Sequence, residues 1–113
     1  MPISWVYLII AIIFEVFGTT CMKLSEEFTK IVPSIFIFVF YGLCLIFLTL
    51  SLRKLEVSIV YAVWSGLGTI VITSIGIVWF RESFTLVKLI SILLILVGVI
   101  GLNLGDYLQN YKN

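Results

Sequence analysis

Four long apolar stretches, nearly free of charge, decide what this chain folds into. Residues 31–52, 57–80 and 89–105 carry no charged side chain, and residues 3–22 carry one, Glu15. A helix rising 1.5 Å per residue needs about 20 residues to cross a hydrocarbon core roughly 30 Å thick. The stretches therefore predict four transmembrane helices, over about 3–22, 31–52, 57–80 and 86–105; Leu86 and Val87 extend the last one past Lys88. The connectors KLSEEFTK, RKLE and RESFTLVK are short, so neighbouring helices form antiparallel hairpins within a single 1–113 transmembrane domain. Thr29 and Pro33 suit the start of the second helix.

Composition excludes the other classes. The 113 residues are 62% hydrophobic and 12% charged, against roughly 45–50% and about 25% in soluble domains. A chain this short has too little interior to hide so much apolar surface from water. A net charge of +1 gives no basic footprint for nucleic acid. With no His, and with Cys21 and Cys44 far apart in apolar segments, neither a metal site nor a disulfide framework is expected. Both Cys read as small packing residues, and no cofactor is implied. The N-terminal stretch lacks a basic n-region and a cleavage site, and reads as a retained helix.

Lys and Arg in the loops set orientation. Arg53, Lys54 and Lys112 share one side, and Lys23, Lys30, Arg81 and Lys88 the other, which is three against four. So small a bias fits either one weakly specified topology or insertion both ways round.

Glu15 is the residue that needs explaining. An acid in mid-span is costly, and none of the other three stretches carries a Lys or Arg to pair with it. Desolvation favours the proton-bearing carboxyl, whereas an ionised one seeks a cation. One residue can therefore hold a proton or a cationic substrate in turn. Ala11, Gly18, Thr19 and Met22 lie on its face of the helix, with Tyr7 further out; Ile9, Ile13, Val16 and Phe17 are expected to face lipid. Tyr61, Trp64, Ser65 and Gly68 share a face of the third helix, and Tyr41 of the second falls near the depth of Glu15. Aromatic faces around a carboxylate suit a lipophilic cation, although packing alone also explains them. Gly66 and Gly68 loosen the third helix and mark a possible bend. Ser91 and Gly98, with Gly101 and Gly105 beyond, form a small-residue seam, within a chain or between chains. A lone carboxylate without a nucleophile–base pair lacks the parts of an enzyme.

The stretches AIIFEVFGTTCMKLSEEFT and YAVWSGLG, with the Pro33-Ser34 helix start, resemble the small multidrug resistance family over essentially the whole chain. Gly18 and Ile12 stand where the guanidinium-exporting branch typically carries Trp and Gly, so the resemblance is to the quaternary-ammonium exporters. It implies an all-α protein of the bacterial cell membrane, four helices per chain, assembled as an antiparallel dimer of eight. It implies that Glu15 binds proton and substrate, that Ala11, Gly18, Thr19, Tyr41, Tyr61, Trp64 and Ser65 line the pocket, that Gly66 and Gly68 permit bending, and that Ser91 and Gly98 lie in the dimer contact. The expected partners are protons, lipophilic cations, the bilayer and a second copy or related chain. Glu56 and Ser58 depart from the Pro and Gly often found ahead of the YAxW motif, and Ser91 from a frequent Gly. Export of guanidinium compounds or polyamines, and a non-transporting membrane subunit, are the alternatives. The latter predicts no proton release when a cation is added.

Overall fold

Apolar runs of this length have one way to satisfy their backbone groups away from water, which is to hydrogen-bond them within the segment as helix. The computed structural model, which describes residues 3–112, contains α1 (Ile3–Leu24), α2 (Ile31–Ser51), α3 (Val57–Val78) and α4 (Leu86–Lys112). All four are long and apolar enough to cross a membrane.

The helix ends differ from the expected ones for local reasons. α2 starts after Lys30, and the Thr29 hydroxyl turns back onto the Ser25 and Glu26 carbonyls instead of capping it. The connector before it is organised by the buried Ser25. Its hydroxyl donates to Met22 O at 2.8 Å and accepts from Phe28 N at 3.3 Å, while Thr29 N and Lys30 N donate to its carbonyl. Glu26, Glu27 and Phe28 pass through this turn at positive φ (48°, 62° and 66°). α3 stops at Val78, before Trp79 and Phe80, because Arg81 turns left-handed at φ 57° and the chain folds back. α4 runs to Lys112, beyond the apolar stretch. Once nucleated, a helix needs no apolar side chain to continue.

α1 is the central helix. One side packs on α2 through an aromatic ladder: Phe14 stacks on Phe40 and Phe47 at 6.2 and 5.8 Å between centroids, Phe17 meets Phe40, and Tyr7 meets Phe47. The other side packs on α3, where Leu8, Ile12 and Val16 interlock with Ile59, Val60 and Val63. Val16 is therefore buried, contrary to the expectation that it faces lipid, because α3 covers it. Ile9, Ile13 and Phe17 are exposed, as expected.

α4 packs along α3 and has no buried residue in its membrane window. The closest approach runs through Gly66, where an added Cβ would lie 2.7 Å from Val99 Cγ2 and 3.2 Å from Ile95 Cγ2. Val99 and Ile95 are β-branched and stiff, so they yield little. Gly66→Ala is expected to destabilise the folded chain by about 1–3 kcal/mol through overpacking. Adding Val99→Ala should recover part of that loss, as measured by denaturant unfolding in detergent.

Candidate functional site

Thr19 follows Glu15 by four residues on α1, so the two side chains stack one turn apart. The Thr19 hydroxyl donates to Glu15 Oε1 at 2.8 Å and lies 2.6 Å from the Tyr41 hydroxyl of α2. A hydroxyl has one proton. With that of Thr19 engaged by the carboxylate, Tyr41 is the donor to Thr19. The Tyr41 ring comes this close because Gly18 has no side chain; a Cβ there would sit 2.6 Å from two ring carbons.

The other carboxylate oxygen points across to α3. Gly68 gives it room, since an added Cβ would lie 2.9 Å from Glu15 Oε2. That oxygen is buried and accepts no hydrogen bond. Among the described residues no Lys or Arg lies within ion-pair distance of it, the one salt bridge being Lys30–Glu26 at the surface. A buried acceptor left without a partner carries its full desolvation penalty, so Oε2 is the atom with most to gain from a ligand.

It opens on a cavity of about 240 Å³ lined by Glu15, Tyr61, Trp64, Ser65, Gly68, Thr69 and Ile72. Tyr61 and Trp64 meet edge to face, 5.6 Å between centroids and 77° between planes. Ser65 donates to Tyr61 O and Thr69 to Ser65 O, so both hydroxyls direct their protons into the helix and leave lone pairs toward the cavity. The Trp64 indole N–H, also buried, makes no full hydrogen bond; the Cys44 thiol is its polar neighbour. Both Cys21 and Cys44 carry free thiols. The wall thus offers ring faces, oxygen lone pairs and one carboxylate, and no basic side chain. Such a surface attracts an organic cation and repels an anion.

The structure brings Glu15, Tyr61, Trp64, Ser65 and Gly68 together around one space, with Thr19 and Tyr41 behind the carboxylate. Ala11 is fully buried and Gly18 lies beneath Tyr41, both outside the cavity lining. Gly66 and Gly68 lie in unbroken helix, Gly66 against α4. Ser91 lines a separate groove between α3 and α4, while at Gly98, Gly101 and Gly105 an added Cβ would meet nothing within 4 Å. The cavity also takes in Thr69 and Ile72, which no sequence motif singles out. They continue the stripe of Tyr61, Ser65 and Gly68 by a further turn, so extending that helical face along α3 would have found them.

The Tyr41–Thr19–Glu15 chain has a measurable consequence. Thr19→Val keeps the shape and removes the one donor to Glu15 Oε1 found among the described residues, leaving the Tyr41 hydroxyl unpartnered. A loss of about 1–3 kcal/mol is expected. Tyr41→Phe in that background should restore part of it, and Thr19→Ser should retain most of the stability. Unfolding in detergent across this double-mutant cycle gives the coupling.

Comparisons with known proteins find a family and several relatives similar over most of the chain. The profile of the Small Multidrug Resistance protein family matches residues 3–95. An uncharacterized membrane protein of Bacillus subtilis (strain 168), YvaE, is 51% identical over 104 residues, covering 92% of this chain and 87% of that protein. The quaternary ammonium compound-resistance protein QacC of Staphylococcus aureus is 42% identical over 100 residues, covering 88% of this chain and 94% of its own length. The multidrug resistance protein EbrA of Bacillus subtilis (strain 168) is 42% identical over 103 residues, covering 91% and 98%.

Proposed function

The chain belongs to the Small Multidrug Resistance family and is a multi-pass bacterial membrane protein; on that premise we propose that it exports lipophilic cations, quaternary ammonium compounds among them, in exchange for protons. The observation that carries this reading is Glu15 Oε2, buried and without a partner at the wall of an aromatic cavity that holds no basic group. The relatives named for quaternary ammonium resistance support the substrate class. A neutral Glu15 carries the proton. An arriving cation favours the ionised form and expels it, so proton and substrate use one carboxyl in turn. Tyr61, Trp64 and Ser65 enclose the cation, and Thr19 and Tyr41 hold the carboxylate in place.

The working unit is an antiparallel dimer. Alternating access in secondary transporters commonly rests on two inverted halves, and two oppositely inserted copies of a four-helix chain supply them. A cavity of about 240 Å³ is below the roughly 300–1,000 Å³ typical of drug-sized ligand sites; two facing copies double it. Tyr61, 64% exposed, would be covered by the second copy. Gly98, open within one chain, fits the small-residue contact between α4 helices, and flexing of α3 at Gly66 and Gly68 switches the open side.

Glu15→Gln keeps the shape but neither ionises nor carries a proton. Purified protein should release protons when tetraphenylphosphonium is added, and the Gln variant should release none and lose coupled transport in liposomes. Proton-driven transport retained by Glu15→Gln would overturn the exchange mechanism. For the assembly, Gly98→Leu should leave helix content unchanged and abolish the dimer, read by cross-linking in membranes. A dimer that survives places the contact elsewhere, and a wild-type chain active only alongside a related chain identifies a heterodimer.

A further inference from the structure

Beyond the Glu15 cavity, one carboxylate has a built seat. The turn after α3 folds back so that Glu82 N donates to Gly76 O at 3.0 Å, with Arg81 at φ 57° making the reversal. The Glu82 side chain then lies against Gly76, where a Cβ would collide with its carboxylate. It faces a cavity of about 150 Å³ lined by Thr19, Thr20, Lys23, Ile72, Gly76, Phe80 and Glu82. Thr19, whose hydroxyl is bonded to Glu15, is part of this cavity's lining. Ile72 is a wall it shares with the Glu15 cavity. Glu15 and Lys23 are eight residues apart on α1, so the mouth lies about 12 Å from the Glu15 level.

The charges around this mouth are otherwise mostly positive. Lys23 lines the same cavity with its ammonium 6.0 Å from the Phe80 ring centre, and Arg81 and Lys88 flank Glu82 in the connector. Lys88 is tied to Ser83 O at 2.6 Å. Glu26 and Glu27 line the neighbouring cavity around Lys23 and Phe80, and Glu26 pairs with Lys30 at 3.7 Å. Among the described residues no Lys or Arg lies within 4 Å of Glu82. A cation approaching Glu15 from this side meets three basic residues, and Glu82 is the carboxylate set in their midst.

We infer that Glu82 is an outer waiting site for cationic substrate, drawing it past Lys23, Arg81 and Lys88 to the mouth of the cavity that Thr19 helps to line. This rests on the reading of Glu15 as the inner cation site. Glu82 acts through the field at the mouth, so it governs how fast a cation arrives. A field at a cleft mouth raises encounter rates and is screened by salt.

The test is stopped-flow binding of tetraphenylphosphonium to the full-length protein, read by tryptophan fluorescence, at about 10 mM and about 500 mM salt. Glu82→Gln preserves shape and is expected to slow association at least threefold at low salt, with the difference lost at high salt. The divalent cation methyl viologen should be slowed more than the monovalent one. Glu82→Asp should restore most of the rate, Gly76→Ala should reproduce the loss by displacing the carboxylate, and Glu27→Gln should leave association unchanged. Equal association rates for wild type and Glu82→Gln at low salt would overturn the inference. So would a loss that neither salt nor probe charge alters, since that marks a structural role. Proton release by the wild type is measured in parallel; its absence refutes the exchange mechanism, while a salt-dependent Glu82 effect still stands on its own.

Discussion

The Glu15 carboxylate sits in the middle of an apolar span, and among the described residues no Lys or Arg pairs with it. An acid in lipid needs a compensating partner, a proton or a path to water. In this fold Oε1 is held by Thr19 and Oε2 is left open. Much of the packing around it follows from that division. Gly18 seats Tyr41, Tyr41 steadies Thr19, Thr19 fixes one oxygen, and Gly68 admits the other to the aromatic cavity. Four small or hydroxylated residues on three helices thus aim one acceptor at one space.

The division of labour among helices serves the same end. α1 is braced on both sides, by aromatic rings of α2 and by aliphatic residues of α3. The carboxylate therefore projects from the helix that is packed on both sides. α4 lies at the opposite extreme, with none of its membrane window buried and its Gly98 face open. The residues around the Glu15 cavity and the open Gly98 face thus lie on different helices.

Much of this is legible in the sequence. The charge-free runs located all four helices, and Glu15 stood out because nothing in the sequence pairs with it. Tyr61, Trp64, Ser65 and Gly68 fell on one face by period alone. What stayed hidden depends on which helix neighbours which. Val16 looks like a lipid-facing residue until α3 is known to lie over it. Gly66 and Gly68 look alike in sequence, yet one admits Val99 and the other admits Glu15. The helix ends at Val78 and Lys112 were set by a left-handed residue and by helix propagation, neither of which leaves a hydropathy signal. Glu82 reads as an ordinary loop acid until the turn is seen to fold it back onto Gly76.

The two hydroxyls behind the carboxylate have a directional property. While Glu15 is ionised, Tyr41 donates to Thr19 and Thr19 donates to Glu15. A proton placed on Oε1 makes Glu15 a donor, and with the same oxygen positions Thr19 then passes its own proton toward Tyr41. Both bonds reverse together, and no heavy atom need move. The occupancy of a site on α1 is thereby written as the orientation of an O–H group on α2. Two hydroxyls in series thus tie the protonation of a carboxyl on α1 to the direction of an O–H bond on α2, as a one-bit register would.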